Sequence, residues 1–356
     1  MEKIRYYTVR FFFFIGLMIF GTVTTHAQTS EIGDFLRAGQ ADAETLTKAY
    51  LNPIPNGIGA DLNTGWFTGA EPHSTLGFDI QIRGALAFVP SGGQSFDIND
   101  LNLEKTSLAS GESSITPTAA GDDSPGPEVV VREDGEEITR FNLPQGSGFD
   151  FVPAPMIQAS VGIIKKTDIT VRFVPNVEIE DLGDFNLKGI GIKHSLSQWL
   201  VGGNLPVDIS IFAGFSRVNL NANLDLDPAQ GSLPDPDNPN ANYDNQEVET
   251  AFNSFSSRLI VGKDLPFISV YGAVGYETSS MDLDVTGNYP IEVPSAVPGQ
   301  TQTETLTDPF SYSEDGDNTY SLSGGVKFKL GFFHLFGEYT LADYSVANGG
   351  IAFSFR

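Results

Sequence analysis

A histidine beside a carboxylate or a serine is the usual starting point for acid–base or nucleophilic chemistry, and the chain has only four histidines in 356 residues. His334 and Glu338 lie four apart in FHLFGEYTL. On a strand they share one face but stand two same-face positions apart, about 13 Å, too far for a direct pair. His194 precedes Ser195 in KHSLS, but neighbours on a strand point to opposite faces, so nucleophile and base do not meet there. His73 follows Pro72 ahead of the first strand. The chain has no Gly-x-Ser-x-Gly elbow. Two acidic stretches, DPDNPNANYDNQE (235–247) and SEDGDN (313–318), gather oxygens. Pro239 occupies the fifth loop position of the first, and the glycine a calcium loop needs at the sixth is missing. These residue types point away from catalysis, and no cofactor or metal is expected.

What remains is a set of mixed charges that alternation gathers on one side of each strand. They are Asp79 and Arg83, Arg172 and Glu178, Lys193, Asp208, Arg258, Glu277, Lys327 and Lys329, and His334 and Glu338. Opposite each set stands an apolar face: in LGFDIQIRGALAF, Leu76, Phe78, Ile80, Ile82, Leu86 and Phe88. In DITVRFVPNVEI the apolar face is Ile169, Val171, Phe173, Val177 and Ile179. Charges facing inward beside apolar residues facing outward are the signature of a membrane strand, whose lumen is polar and whose outside meets lipid. Mean hydropathy is only −0.09, as expected when the two faces average out.

Ten segments of this kind stand near 76–88, 154–164, 168–179, 185–199, 207–215, 250–262, 267–281, 320–330, 333–341 and 345–356. Most reach the roughly 9–11 residues that a tilted membrane strand needs. Residues 96–103 and 136–143 offer a further hairpin, which would make twelve. Connections near 165–168, 202–206, 263–266 and 331 are short, and those near 90–152, 222–249 and 282–318 are long and rich in Pro, Gly, Asp and Asn. In an up-and-down barrel successive connections fall on opposite ends, so the short ones share one end and the long ones the other. Charge follows the same division: the long connections hold 12, seven and eight acids against three bases, all three in the first. The expected fold is therefore all-β, a transmembrane antiparallel up-and-down barrel of about ten strands, within a range of about 10–14. A soluble β-sandwich would use shorter strands and has no reason to sort loops this way.

The N-terminus carries Lys3, Arg5 and Arg10, an apolar run over 11–20 and Thr25-His26-Ala27, the pattern of a cleaved secretion signal over 1–27. Without it the chain has 44 acids against 17 bases, a balance that excludes nucleic acid as a partner. With no cysteine anywhere, neither a disulfide nor a lipid-modified cysteine is available. Residues 28–75 differ from the rest. Ile32, Phe35, Leu36, Ala43, Leu46 and Tyr50 have helical spacing, Asn52-Pro53 ends the pattern, and NPIPNGIGADLNTGWF is turn-rich. This segment is expected either to plug the lumen or to lie beneath the barrel in the periplasm, with the barrel spanning 76–356.

AYLNPI (49–54), GWFTGAEPHSTLGFDI (65–80) and DFNLKGIGIKHSLSQWLVGGNLPVDISIFAGF (184–215) resemble an outer-membrane barrel family known only as a domain of unknown function. The resemblance runs over most of the chain and implies a barrel in the outer membrane of a Gram-negative-type bacterium, but no reaction. In layout alone the chain is similar to barrels that import hydrophobic compounds past an N-terminal hatch. Two functions stay open: passive, gated passage of a small solute, hydrophobic ones included, or a non-conducting barrel presenting acidic loops. An outer-membrane enzyme is a distant third. The expected surroundings are outer-membrane lipid and lipopolysaccharide, with the barrel-assembly machinery engaging the C-terminal strand GGIAFSFR.

Overall fold

The computed structural model describes residues 35–355 apart from 134, 180–182, 201–205, 298–299 and 317. The expected signal sequence over 1–27 lies outside the described residues. Ten strands form one closed antiparallel barrel: β1 (Phe78–Phe88), β2 (Phe151–Ile163), β3 (Thr167–Ile179), β4 (Gly183–Ser195), β5 (Asp208–Asn223), β6 (Glu247–Asp264), β7 (Ile268–Thr286), β8 (Thr319–Leu330), β9 (Phe333–Leu341) and β10 (Ser345–Phe355). Each strand pairs with its sequence neighbours, and β1 closes on β10 from Phe78 opposite Phe355 to Phe88 opposite Ser345. Closure leaves the ring of ten without an edge, the condition for placing strands in hydrocarbon, and Phe310–Asp315 pairs with the upper part of β7 as an additional strand.

Alternation sets the two faces as expected. On β1, Asp79, Gln81 and Arg83 are buried, while Phe78, Ile80 and Ile82 are 40%, 45% and 38% exposed. Ile190, Ile192, Ile211, Phe215, Leu259, Val261, Leu335 and Leu341 continue this apolar exterior round the barrel. At the seam, the rings of Phe78 and Phe355 stack with centroids 5.2 Å apart.

Several details depart from the sequence reading. The register of β3 against β4 shifts between Val174 and Val177. A bulge inverts parity beyond it, so Val177 packs against the interior and Glu178 is exposed on the outside. Residues 96–103 and 136–143 add no barrel hairpin. Within the first long connection, Ser95–Asp97 pairs with Ile115–Pro117, and Thr106–Leu108, Glu128–Glu133 and Glu136–Asn142 form a separate three-stranded sheet. At the long-loop end β3 and β4 also succeed one another closely, Ile179 to Gly183, as do β9 and β10, Leu341 to Ser345, and at the opposite end the step from Ser195 to Asp208 is longer than its neighbours. Strands β5, β6 and β7 run for 16, 18 and 19 residues, beyond what a bilayer needs, and so project past it at the long-loop end.

Among the described residues two complete helices precede the barrel, α1 (Gln40–Leu51) and α2 (Pro53–Asn63). The expected stop at Asn52-Pro53 is instead a joint. Asn52 keeps helical angles, φ −41° and ψ −45°, and a proline in a first turn gives up an N–H that has no partner there. α2 lies within the barrel, touching β1, β2, β5, β6, β7 and β10. Its turn-like composition has a steric cause: a Cβ on Gly57 would sit 2.5 Å from Val152 Cγ2, and one on Gly59 would collide with Ser279. The glycines admit a helix to a lumen too narrow for side chains on those faces. α1 packs at the long-loop end, where the Asp42 carboxylate accepts backbone N–H groups of Glu104, Lys105 and Thr106 at 2.7–2.9 Å. The Tyr50 hydroxyl donates to the Gln145 carbonyl at 2.9 Å.

The main apolar core also sits at this end. Leu46, Tyr50 and Leu62 pack with Val129, Val131, Phe141 and Leu143 of the first long connection and with inward residues of the upper strands, among them Leu187, Val218, Phe252 and Met281. The inward face is thus polar only in the lower barrel. On upper β4–β7 the alternation persists but is inverted, with Leu187, Val218, Phe252 and Met281 turned inward and Asn186, Arg217, Asn253 and Asp282 turned outward, so a polar side does not by itself mark the lumen there.

Candidate functional site

The lower lumen is filled by residues 64–75, which run from the end of α2 to the start of β1, and the polar wall is organised around them. Arg172 is fully buried on β3. Its Nη1 and Nη2 donate to the carbonyls of Leu62 at 2.7 Å and Thr64 at 2.6 Å. Its Nε donates to Gln158 at 3.0 Å, and its guanidinium lies 3.7 Å from the Trp66 ring centre. Gln158 donates in turn to Gln81 at 3.0 Å and to the Trp66 carbonyl at 3.3 Å. Trp66 occupies a trench that only glycine can line: Cβ atoms on Gly189, Gly191 and Gly214 would lie 2.9–3.1 Å from its ring. Phe212 and Tyr271 complete the seat, with ring centres 5.4–5.6 Å from Trp66 or Phe67.

A second cluster faces it across the lumen. Arg258 bonds Glu277, Ser323 and the Asn63 carbonyl, and Ser321 donates to Glu277 at 2.6 Å. Glu338 accepts from the Gly65 N–H at 3.1 Å, from Asn348 at 2.9 Å and from the Tyr271 hydroxyl at 2.7 Å. Arg83 stands over the Phe336 ring at 4.6 Å. Its three guanidinium nitrogens, like both carboxylate oxygens of Asp61 on α2, have no hydrogen-bond partner among the described residues.

At the short-turn mouth His73 bridges two strands. Its Nδ1 lies 3.1 Å from Asp168 and its Nε2 3.2 Å from Asp79, and its backbone N–H donates to Asp168 at 2.8 Å. Burial opposes the imidazolium, but hydrogen bonds and charge from Asp168 and Asp79 outweigh it and raise the His73 pKa to about 9. Lys193 pairs with Asp168 at 3.2 Å and donates to the carbonyls of Gly69 and Glu71 at 3.2 Å. Lys329 pairs with Asp264. Below the aromatic seat a cavity of about 870 Å³ is lined by Lys327, His334, Asp79, Thr170 and Phe267, among others.

Of the lumen candidates from the sequence, Asp79, Arg83, Arg172, Arg258, Glu277, His334 and Glu338 are buried inside, and Lys327 is half-buried there. Asp208 is half-buried at the lower rim, opposite Gly262, and Glu178 is outside. His334 and Glu338 do not meet: Phe336 lies between them on the same face, and His334 bonds the Gly331 carbonyl at 3.2 Å. His194 turns away from Ser195 to bond Thr167 at 2.7 Å and stack near the exposed Trp199. His73 carries no role in the sequence reading, because Asp168 lies 95 residues away and the reversal at residues 74–77 that brings Asp79 back to it has no local signature. Trp66 was missed too, although three glycines spaced along β4 and β5 hint that something bulky approaches the wall.

A closed antiparallel barrel with an apolar exterior and a polar lower lumen, much of it bonded to a stretch of its own chain, defines the fold of an outer-membrane β-barrel. The chain belongs to a family of unknown function (DUF6588), whose family model matches residues 1–355. No curated protein matches it. Among solved structures it is similar to Ail, the attachment invasion locus protein of Yersinia pestis, with 10% identity and a TM-score of 0.24 over 79% of this chain and 100% of that one. Omp33 of Acinetobacter baumannii matches at 8% identity and TM-score 0.24 over 79% and 100%. The beta domain of the Bordetella autotransporter Brka matches at 10% identity and TM-score 0.25 over 78% and 100%. Such values carry no information about function.

Proposed function

We propose that the protein is a stoppered outer-membrane barrel that does not conduct in its folded state and whose working surface is the acidic assembly of long connections. The observation that carries this reading is Arg172, fully buried and bonded to the carbonyls of Leu62 and Thr64. Withdrawing the segment would strand that charge in the wall, and breaking a buried charged contact on one side costs about 3–5 kcal/mol. Glu338 and Arg258 fasten the same segment from the opposite wall. The exterior aromatic and aliphatic residues would meet lipid, and β10 would be the strand recognised by the assembly machinery. The 27 acids of the three long connections would reach lipopolysaccharide phosphates only through bridging divalent cations.

The test is single-channel recording in a planar bilayer, with the intact protein and with a variant lacking residues 35–75. No steps are expected from the intact barrel and open-channel steps from the truncated one. Steady steps from the intact protein would overturn the reading. A second reading, gated passage of a small solute, is favoured by one observation: Arg83 and Asp61 are buried without partners among the described residues. Unmet polar groups are where an interior packing is weakest, and they would be the first to accept water or a solute if the segment shifted. Under this reading, solute uptake by whole cells would rise in Arg172→Ala and fall when the segment is locked to the wall by an engineered disulfide.

A further inference from the structure

The order in which the N-terminal segment meets the wall fixes a direction. β2 serves as a ruler, because it descends from the long-loop end at Phe151 to the short-turn end at Ile163. Gly57 lies against Val152 near its top, the Trp66 carbonyl bonds Gln158 at its middle, and the Leu76 N–H bonds the Gly162 carbonyl at its foot, at 2.8 Å. Contacts with other strands agree. Asn63 donates to the Thr278 carbonyl in the upper half of β7, and Ser210, at the foot of β5, donates to the Ala70 carbonyl. His73 reaches Asp168 at the foot of β3. The chain therefore passes down through the whole barrel, then reverses at residues 74–77 to climb as β1.

We infer that α1 belongs to the outer face of the membrane, so that the chain enters its own barrel from outside and leaves it at the periplasmic mouth. The inference rests on the outer-membrane reading, in which short turns are periplasmic. Two features make it more than a consequence of a plugged lumen. α1 is built into the external connections: Asp42, itself 2% exposed, caps three consecutive backbone N–H groups of Glu104, Lys105 and Thr106. The Ala119 N–H donates to the Tyr50 carbonyl at 2.9 Å, and the Lys48 ammonium lies 4.8 Å from the Tyr312 ring centre. The second feature is size. α2 already requires glycine at its wall contacts, so the packed unit of α1 and its loops cannot follow through a closed barrel. Residues 53–75 and β1 must cross the membrane together as a hairpin, before β1 and β10 pair.

The absence of cysteine makes the topology open to direct test. Single cysteines are introduced as Ala41→Cys on the exposed side of α1, Glu112→Cys in the first long connection and Thr75→Cys at the opposite mouth; all three positions are exposed. Cells are treated with a membrane-impermeant maleimide, intact or after outer-membrane permeabilisation, and heat-modifiable gel migration confirms that each variant is folded. Ala41→Cys is expected to label in intact cells as fully as Glu112→Cys, with Thr75→Cys labelling only after permeabilisation. Labelling of Ala41→Cys only after permeabilisation, while Glu112→Cys labels in intact cells, would overturn the inference and leave the barrel reading standing. Failure of Glu112→Cys to label in intact cells would instead overturn the orientation on which both rest. If Ala41→Cys does not fold, Thr45→Cys, one turn along α1, is read in the same way.

Discussion

At the scale of single residues the lower lumen behaves as a protein core that happens to be polar. Arg172 makes three hydrogen bonds and one aromatic contact, none of them to an anion. Its value lies in planar donors that match two carbonyls of the segment and one side chain of the wall, a geometry lysine cannot reproduce. Arg172→Ala leaves those acceptors buried and unpaired, at about 1–3 kcal/mol each. A loss of about 3 kcal/mol or more is expected in urea unfolding of the refolded barrel, with Arg172→Lys recovering only part. His73 yields a prediction with a sign. Its pKa is raised from 6.5 to about 9 in the folded protein, so the stability it adds is fully present below pH 6.5 and disappears as pH rises through about 9. Unfolding midpoints of the native protein should therefore fall between pH 6.5 and 9.5, and that slope should flatten in His73→Gln. An equal slope in both proteins would mean that the imidazolium is not held by Asp79 and Asp168.

At the scale of elements, α2 shows two energies in competition. In an isolated helix Gly57→Ala would gain about 1 kcal/mol. Here the added methyl meets Val152 Cγ2 at 2.5 Å, and overpacking of this kind costs about 1–3 kcal/mol. The net effect expected is destabilising, and the loss should shrink in a Val152→Ala background, where the Cγ atoms are gone and only the Cβ, 3.0 Å away, still crowds the new methyl; thermal shifts of the four proteins in the cycle give the comparison. The same helix shows why part of the fold was illegible. Alternation and loop length revealed the barrel because both are local properties of the chain. PIPNGIG reads as turn because its glycines answer to Val152 and Ser279, which only the closed barrel brings near. Glu178 was placed inside by parity, and Pro175-Asn176, within the bulge, gave no warning in a strand that otherwise alternates. The charged wall could be read from sequence as a set of residues. Their common partner, a stretch of backbone, carries no side-chain signal at all.

At the scale of the whole molecule, two bodies share one chain: a barrel with an apolar exterior and an assembly at its long-loop end whose apolar core is continuous with the upper lumen. Removing residues 35–51 should expose the first long connection to protease by taking away Asp42, Leu46 and Tyr50, while leaving heat-modifiable migration of the barrel in place. Limited proteolysis followed by gel migration separates the two effects, and equal protease resistance with and without α1 would show that the connection stands alone. The segment in the lumen is joined to β1 through residues 74–77 only. A ligand on so short a tether faces its site at an effective concentration on the order of millimolar or more. A free molecule of equal affinity would have to exceed that concentration to take its place. What fills this barrel is therefore settled by inheritance when the chain is made, and a change of occupant requires a change of gene before it requires a change of medium.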